Sequence, residues 1–172
     1  MAIPFMDSDN DIIEFDGLIY ERTDDMSVLS DFRCGIYDMD AFIHNHLQTA
    51  ISTNDLETYL VKQGNEILAV FSICDNVLKS KLSSGEHIDY NTREIEYLAV
   101  RKDRQHGGIG RSIIKLIVDK LMHNRSLLSV SAYIDVDTKY TAEPFYEKCG
   151  FHRIGGPLHP MAECVRMLRY LE

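Results

Sequence analysis

The stretch that decides the fold lies at 95–115: IEYLAV at 95–100, RKDRQHGG at 101–108 and IGRSIIK at 109–115. Its first six residues are a dense apolar run of strand length. Its last part opens a helix reaching to about 123, with Ile109, Ile113, Leu116, Ile117 and Leu121 on one stripe. Between them lies a glycine-rich basic turn. A helix start presents backbone N–H groups without intrahelical partners, and the macrodipole places partial positive charge there. Glycines in the preceding turn let the backbone approach an anion closely. Strand, glycine turn and helix therefore make an anion cradle, to which Arg101, Lys102, Arg104 and Arg111 are expected to add charge.

Two common phosphate cradles are excluded. The dinucleotide fingerprint GxGxxG fails, because Gly108 and Gly110 are followed at the required position by Ile113. No Gly-Lys-Ser/Thr occurs, which removes the nucleotide-triphosphate loop. The pattern that remains is Gln105-x-x-Gly108-x-Gly110.

Outward from this stretch the chain alternates between the periods of strands and helices. Residues 17–23 read as a first strand, and 37–50 as one helix with Met39, Phe42, Ile43, His46 and Leu47 on a mostly apolar face. Residues 56–61 and 66–73 read as a hairpin around Gln63-Gly64-Asn65. The polar, mixed segment 77–92 reads as a loop. Residues 127–136 form a strand with Val130, Ala132 and Ile134 on one side, and 142–149 a short helix closed by Gly150. Strands at 151–154 and 164–171 complete a mixed α/β plan.

The chain has 172 residues, suited to one domain spanning 1–172, and its 45% hydrophobic and 26% charged content is that of a globular protein. Cys34, Cys74, Cys149 and Cys164 lie far apart with no CxxC, so no metal site is expected and a reducing, cytoplasmic setting is. The N-terminal residues turn acidic without a basic or apolar leader, and no apolar run approaches a membrane span. The formal net charge of −9 disfavours a broad nucleic-acid surface. A local basic patch on an acidic chain suits a compact polyanion better.

The segment AEPFYEKCGF at 142–151 resembles the A-x-x-[FL]-Y-E-K-x-G-F signature of the GNAT superfamily of acyl-CoA N-acyltransferases. It follows the Gln105-x-x-Gly108-x-Gly110 loop in the family's order, with a strand between. Phe32-Arg33-Cys34-Gly35, followed by Asp40-Ala41-Phe42-Ile43, is similar to the opening of a bacterial subgroup that includes acetyltransferase toxins acting on aminoacyl-tRNA. The resemblance implies the GNAT fold: a mixed, mostly antiparallel sheet of about six or seven strands flanked by about four helices.

It also implies a reaction. Acetyl-CoA is the cosubstrate, and its acetyl group passes directly to a primary amine in a ternary complex. Backbone groups of Leu98, Ala99 and Val100 carry the pantetheine, and amides of Gln105, His106, Gly107, Gly108, Ile109, Gly110 and Arg111 carry the pyrophosphate. Tyr146 matches the tyrosine that protonates the departing thiolate. Glu96 is the candidate general base; on a regular strand it shares a face with Glu94. Where many members have an asparagine three residues before Ala142, this chain has Lys139. Cys34 lacks a visible His/Asp partner set and reads as a small residue near a helix start. The acceptor amine, acyl length and oligomeric state, including a homodimer, stay open, as do two alternatives: aminoacyl-tRNA acetylation, and an acyl-CoA-binding module without turnover.

Overall fold

A computed structural model describes residues 12–122, 127, 129–135, 141–154 and 164–171. Its strands are β1 (Ile12–Phe15), β2 (Leu18–Arg22), β3 (Glu57–Gln63), β4 (Glu66–Lys81), β5 (His87–Val100), β6 (Ser129–Asp135), β7 (His152–Ile154) and β8 (Cys164–Tyr170). Its helices are α1 (Tyr37–Asn45), α2 (Leu47–Asn54), α3 (Ile109–Met122) and α4 (Glu143–Lys148). The strands hydrogen-bond in the order β1-β2-β3-β4-β5-β6-β8-β7. β5 and β6 run parallel, whereas β1–β2, β2–β3, β3–β4, β6–β8 and β7–β8 are antiparallel.

Among the described residues the sheet therefore has eight strands rather than six or seven. The additional one is β1, joined to β2 by Asp16-Gly17, both left-handed at φ 54° and 76°. Two consecutive positive φ values are what a tight hairpin turn requires, and Asp-Gly is a favoured pair for it. The expected loop at 77–92 is also corrected. β4 continues to Lys81 and β5 begins at His87, the tip closing through Leu82 N to Glu86 O at 2.8 Å. Beyond Cys74 only Leu78 of β4 is buried, so this arm carries too little apolar content to read as strand.

The chain divides into two compact units: Met1–Cys74 with Glu96–Ile117, and Asp75–Ile95 with Val118–Glu172. In the first, Leu29, Phe32, Cys34, Ile43, Leu47 and Leu60 build the core with Val70 and Ala99. The expected single helix at 37–50 is instead two. His46 leaves helical geometry at φ −126°, ψ −24°, and Ile43, Leu47, Ala50 and Ile51 are all buried across the break. In the second unit, Val130, Ala132 and Ile134 of β6 are buried, as are Val165, Met167 and Leu168 of β8. Gly150 ends α4 at φ 85°, the left-handed cap the sequence implied. Among the described residues no helix is long and apolar enough to cross a membrane.

Candidate active site

β5 ends at Val100, and Arg101 N donates to Leu68 O at 2.8 Å. A single 3-10 turn, Lys102–Arg104, leads to Gln105 in extended conformation and His106 at φ 65°. Gly108 is left-handed at φ 89°, and its carbonyl accepts from Ser112 N at 3.0 Å, the bond that opens α3. The amides of Ile109, Gly110 and Arg111 precede the first intrahelical bond, as the sequence implied. A Cβ on Gly108 would meet no atom within 4 Å, so the backbone at Gly108 borders open space. The loop borders a cavity of about 630 Å³ lined by Leu68, Gln105, Gly107, Gly108, Ile109 and Arg111 among others. The cavity offers the backbone donors of a helix start, glycines and the exposed guanidinium groups of Arg104 and Arg111, with the carboxylates of Asp16 and Asp103 also on its lining.

The charge around the loop departs from expectation. Arg101 Nε and Nη2 donate to Asp103 at 2.6 and 2.9 Å, and Nη2 also donates to Glu66. Arg104 Nη2 donates to Glu66 Oε2 at 2.8 Å. Asp103 and then Glu66 hold the Arg101 guanidinium more firmly protonated than usual. Two of the basic side chains expected to add charge are thus occupied by acids, one of them more than 30 residues distant in sequence. Gln105 does more than supply an amide: its Nε2 donates to Val100 O at 2.9 Å and to Cys34 O at 2.7 Å.

On β5 the ladder to β6 runs from Thr92↔Ser129 to Ile95↔Ala132 and stops. Leu98, Ala99 and Val100 lie beyond its end. Glu94 and Glu96 have separate surroundings. Glu94 is 2% exposed and accepts from Ser131 Oγ at 2.9 Å and from Arg166 Nε and Nη2 at 2.5 and 3.2 Å. Glu96 is half-buried and accepts from Cys74 Sγ at 3.5 Å. Next to it Tyr97 stacks on Phe42 with ring centroids 4.1 Å apart. Burial, then the charges of Glu96 and Cys74, raises the Tyr97 phenol above its ordinary value.

Tyr146 is buried on α4, edge-on to Phe145 and Phe151 at 5.1 and 5.2 Å. Burial and then Cys149 push its phenol well above the ordinary range, so it stays protonated at neutral pH. Cys34 is 4% exposed, and burial lifts its thiol to about 11. A thiol held neutral is no nucleophile, and Phe32 and Cys34 serve the core. Lys139 lies outside the described residues. Among the described residues no group of three His, Cys, Asp or Glu side chains is placed to hold a metal.

With this geometry in hand, the family model described as Acetyltransferase (GNAT) family matches residues 20–151. The chain belongs to the GNAT acetyltransferases. Acetyl-CoA is the cosubstrate of that family. A search of curated proteins returned no match. Many solved structures are similar to this chain in fold, among them the following three. AtaTR bound with acetyl-CoA has 17% identity and a TM-score of 0.67 over 89% of this chain and 94% of that one. AtaT complexed with acetyl-methionyl-tRNAfMet has 16% identity and a TM-score of 0.66 over 87% and 93%. The KacTA–DNA complex has 14% identity and a TM-score of 0.64 over 90% and 93%.

Proposed function

We propose that this GNAT chain is one catalytic domain that transfers the acetyl group of acetyl-CoA to a primary amine. The observation that carries the reading is the loop at 105–111, where Gly108, bordered by open space, accepts the first hydrogen bond of α3. Those amides and the Arg111 guanidinium hold the pyrophosphate. Backbone groups of Leu98, Ala99 and Val100, past the end of the β5–β6 ladder, take the pantetheine. The cosubstrate supplies an activated thioester carbonyl.

Attack on that carbonyl needs a neutral amine, and the departing thiolate needs a proton. Glu96 accepts the amine proton, directly or through water. Glu94 is unsuited to that task, because two arginine N–H groups and a serine hydroxyl already occupy it. Tyr146, kept protonated by burial, returns a proton to sulfur.

A second reading of the acceptor, the amino group of an aminoacyl-tRNA, draws on the likeness to AtaT complexed with acetyl-methionyl-tRNAfMet. The net charge of −9 weighs against it. Thiol release from acetyl-CoA over a panel of free amines, peptides and aminoacyl-tRNA tests both readings. Acceleration by one class, lost in Glu96→Gln and reduced in Tyr146→Phe, is the expected result. Tight acetyl-CoA binding with no acceleration by any acceptor overturns catalysis and leaves a binding module.

A further inference from the structure

The segment 33–35 is fastened to the donor loop at one end and to α1 at the other. Lys102 N donates to Arg33 O at 2.9 Å, and Gln105 Nε2 joins Cys34 O to Val100 O. Gly35 is left-handed at φ 88°, and a Cβ there would lie 2.9 Å from Lys102 Cδ, so the lysine stem closes over it. From the other side, Asp40 of α1 accepts from Cys34 N at 2.7 Å and Gly35 N at 3.1 Å. Burial opposes ionisation of Asp40, but these amides and the nearby His44 hold its carboxyl below the usual range. Two residues beyond Asp40, Phe42 stacks on Tyr97, the neighbour of Glu96.

The contacts form a closed circuit: donor loop, segment 33–35, Asp40, α1, Phe42, Tyr97, and along β5 to Val100 and Gln105. His106 holds a left-handed conformation without being glycine, so the loop needs outside contacts to keep its shape. Gln105 supplies them on the carbonyl side, and Asp40 fixes the peptide to which Gln105 is bound.

We infer that Gln105 and Asp40 are positioning residues that clasp the donor loop to α1, so that holding acetyl-CoA also fixes the Phe42–Tyr97 wall beside Glu96. The inference rests on the donor reading above. Asp40 lies outside the donor loop, yet its loss weakens donor binding. Because coupling is reciprocal, donor binding also protects the Cys34 and Gly35 amides from exchange.

Calorimetric titration with acetyl-CoA, paired with melting curves, tests the clasp. Asp40→Ala and Gln105→Met, each of which removes two hydrogen bonds, are each expected to raise Kd at least about fivefold. The double variant should be no worse than the weaker single, because both break one circuit. Asp40→Asn, which keeps one carbonyl acceptor, should raise Kd only about twofold and serves if the alanine variant does not fold. A lowered melting temperature with unchanged Kd in the Asp40 variants makes the residue merely structural and overturns the clasp. So does a double variant whose effect is the product of the singles. Failure of the unmodified chain to bind acetyl-CoA overturns the donor reading itself.

Discussion

Replacing Arg166 by methionine removes the counter-charge of buried Glu94, together with the guanidinium that lies 5.5 Å from the Tyr133 ring centroid. The Glu94 side chain is 3% exposed, and the variant leaves it one partner, the Ser131 hydroxyl. Breaking a buried ion pair by removing one member costs about 3–5 kcal/mol. Arg166 is itself 23% exposed, so water reaches its end of the pair and places the loss near the lower bound, about 3 kcal/mol. For a chain of this length that lowers the melting temperature by roughly 6–12 °C. Urea unfolding followed by far-ultraviolet circular dichroism measures the loss directly. The pair Glu94→Gln with Arg166→Met should recover most of it, because a neutral amide can bond to Ser131 without a counter-charge. It should also keep acetyl transfer if Glu96 is the base, as proposed above. A cost below about 1 kcal/mol for Arg166→Met, the size of a surface pair, would refute the assignment of a buried one. So would a double variant as unstable as the single.

Cys34 should resist iodoacetamide in the native protein at pH 8, where a thiol lifted to about 11 is ionised to about one part in a thousand; labelling before unfolding contradicts its place in the core. The Tyr20 hydroxyl is buried without a hydrogen-bond partner among the described residues. Tyr20→Phe should therefore stabilise the chain by about 1 kcal/mol in urea unfolding, and a loss of that size would show a partner after all. Tyr146 titrates higher in the folded chain than its ordinary 10.0. Its contribution to stability is thus complete below pH 10 and declines as pH rises above it, where only the unfolded phenol ionises. Urea midpoints between pH 8 and 11 should fall less steeply in Tyr146→Phe than in the parent; equal slopes contradict the burial argument.

The parts of the molecule that were legible in the sequence are those whose causes are local. IEYLAV, the glycine turn and the amphipathic α3 follow from composition and spacing over about 30 residues. Gly150 follows from its place after a short helix. The two segments, Gln105-x-x-Gly108-x-Gly110 and AEPFYEKCGF, pointed to the family that the match over 20–151 shows.

Other features depend on distant partners. Glu66 neutralises Arg101 and Arg104 from the start of another strand, and no pattern near the arginines announces it. The bond from Gln105 to Cys34 spans 71 residues. Glu94 and Glu96 look alike on paired spacing, and their surroundings are set apart by Ser131 on β6 and Arg166 on β8, which bond to Glu94. The strand arm at 77–92 is polar because it buries little, so periodicity could not find it. The Asp16-Gly17 turn is different: its signal is local, yet a first strand read from Gly17 misses β1.

The most direct measurement is calorimetric titration of acetyl-CoA into the unmodified chain and into Gly108→Glu. At φ 89° the new side chain is strained, and it adds a carboxylate to the open surface of the loop. The account predicts binding to the parent and at least about tenfold weaker binding to the variant, with both folded by circular dichroism. Equal affinity in the two would show that the loop at 105–111 does not hold the donor.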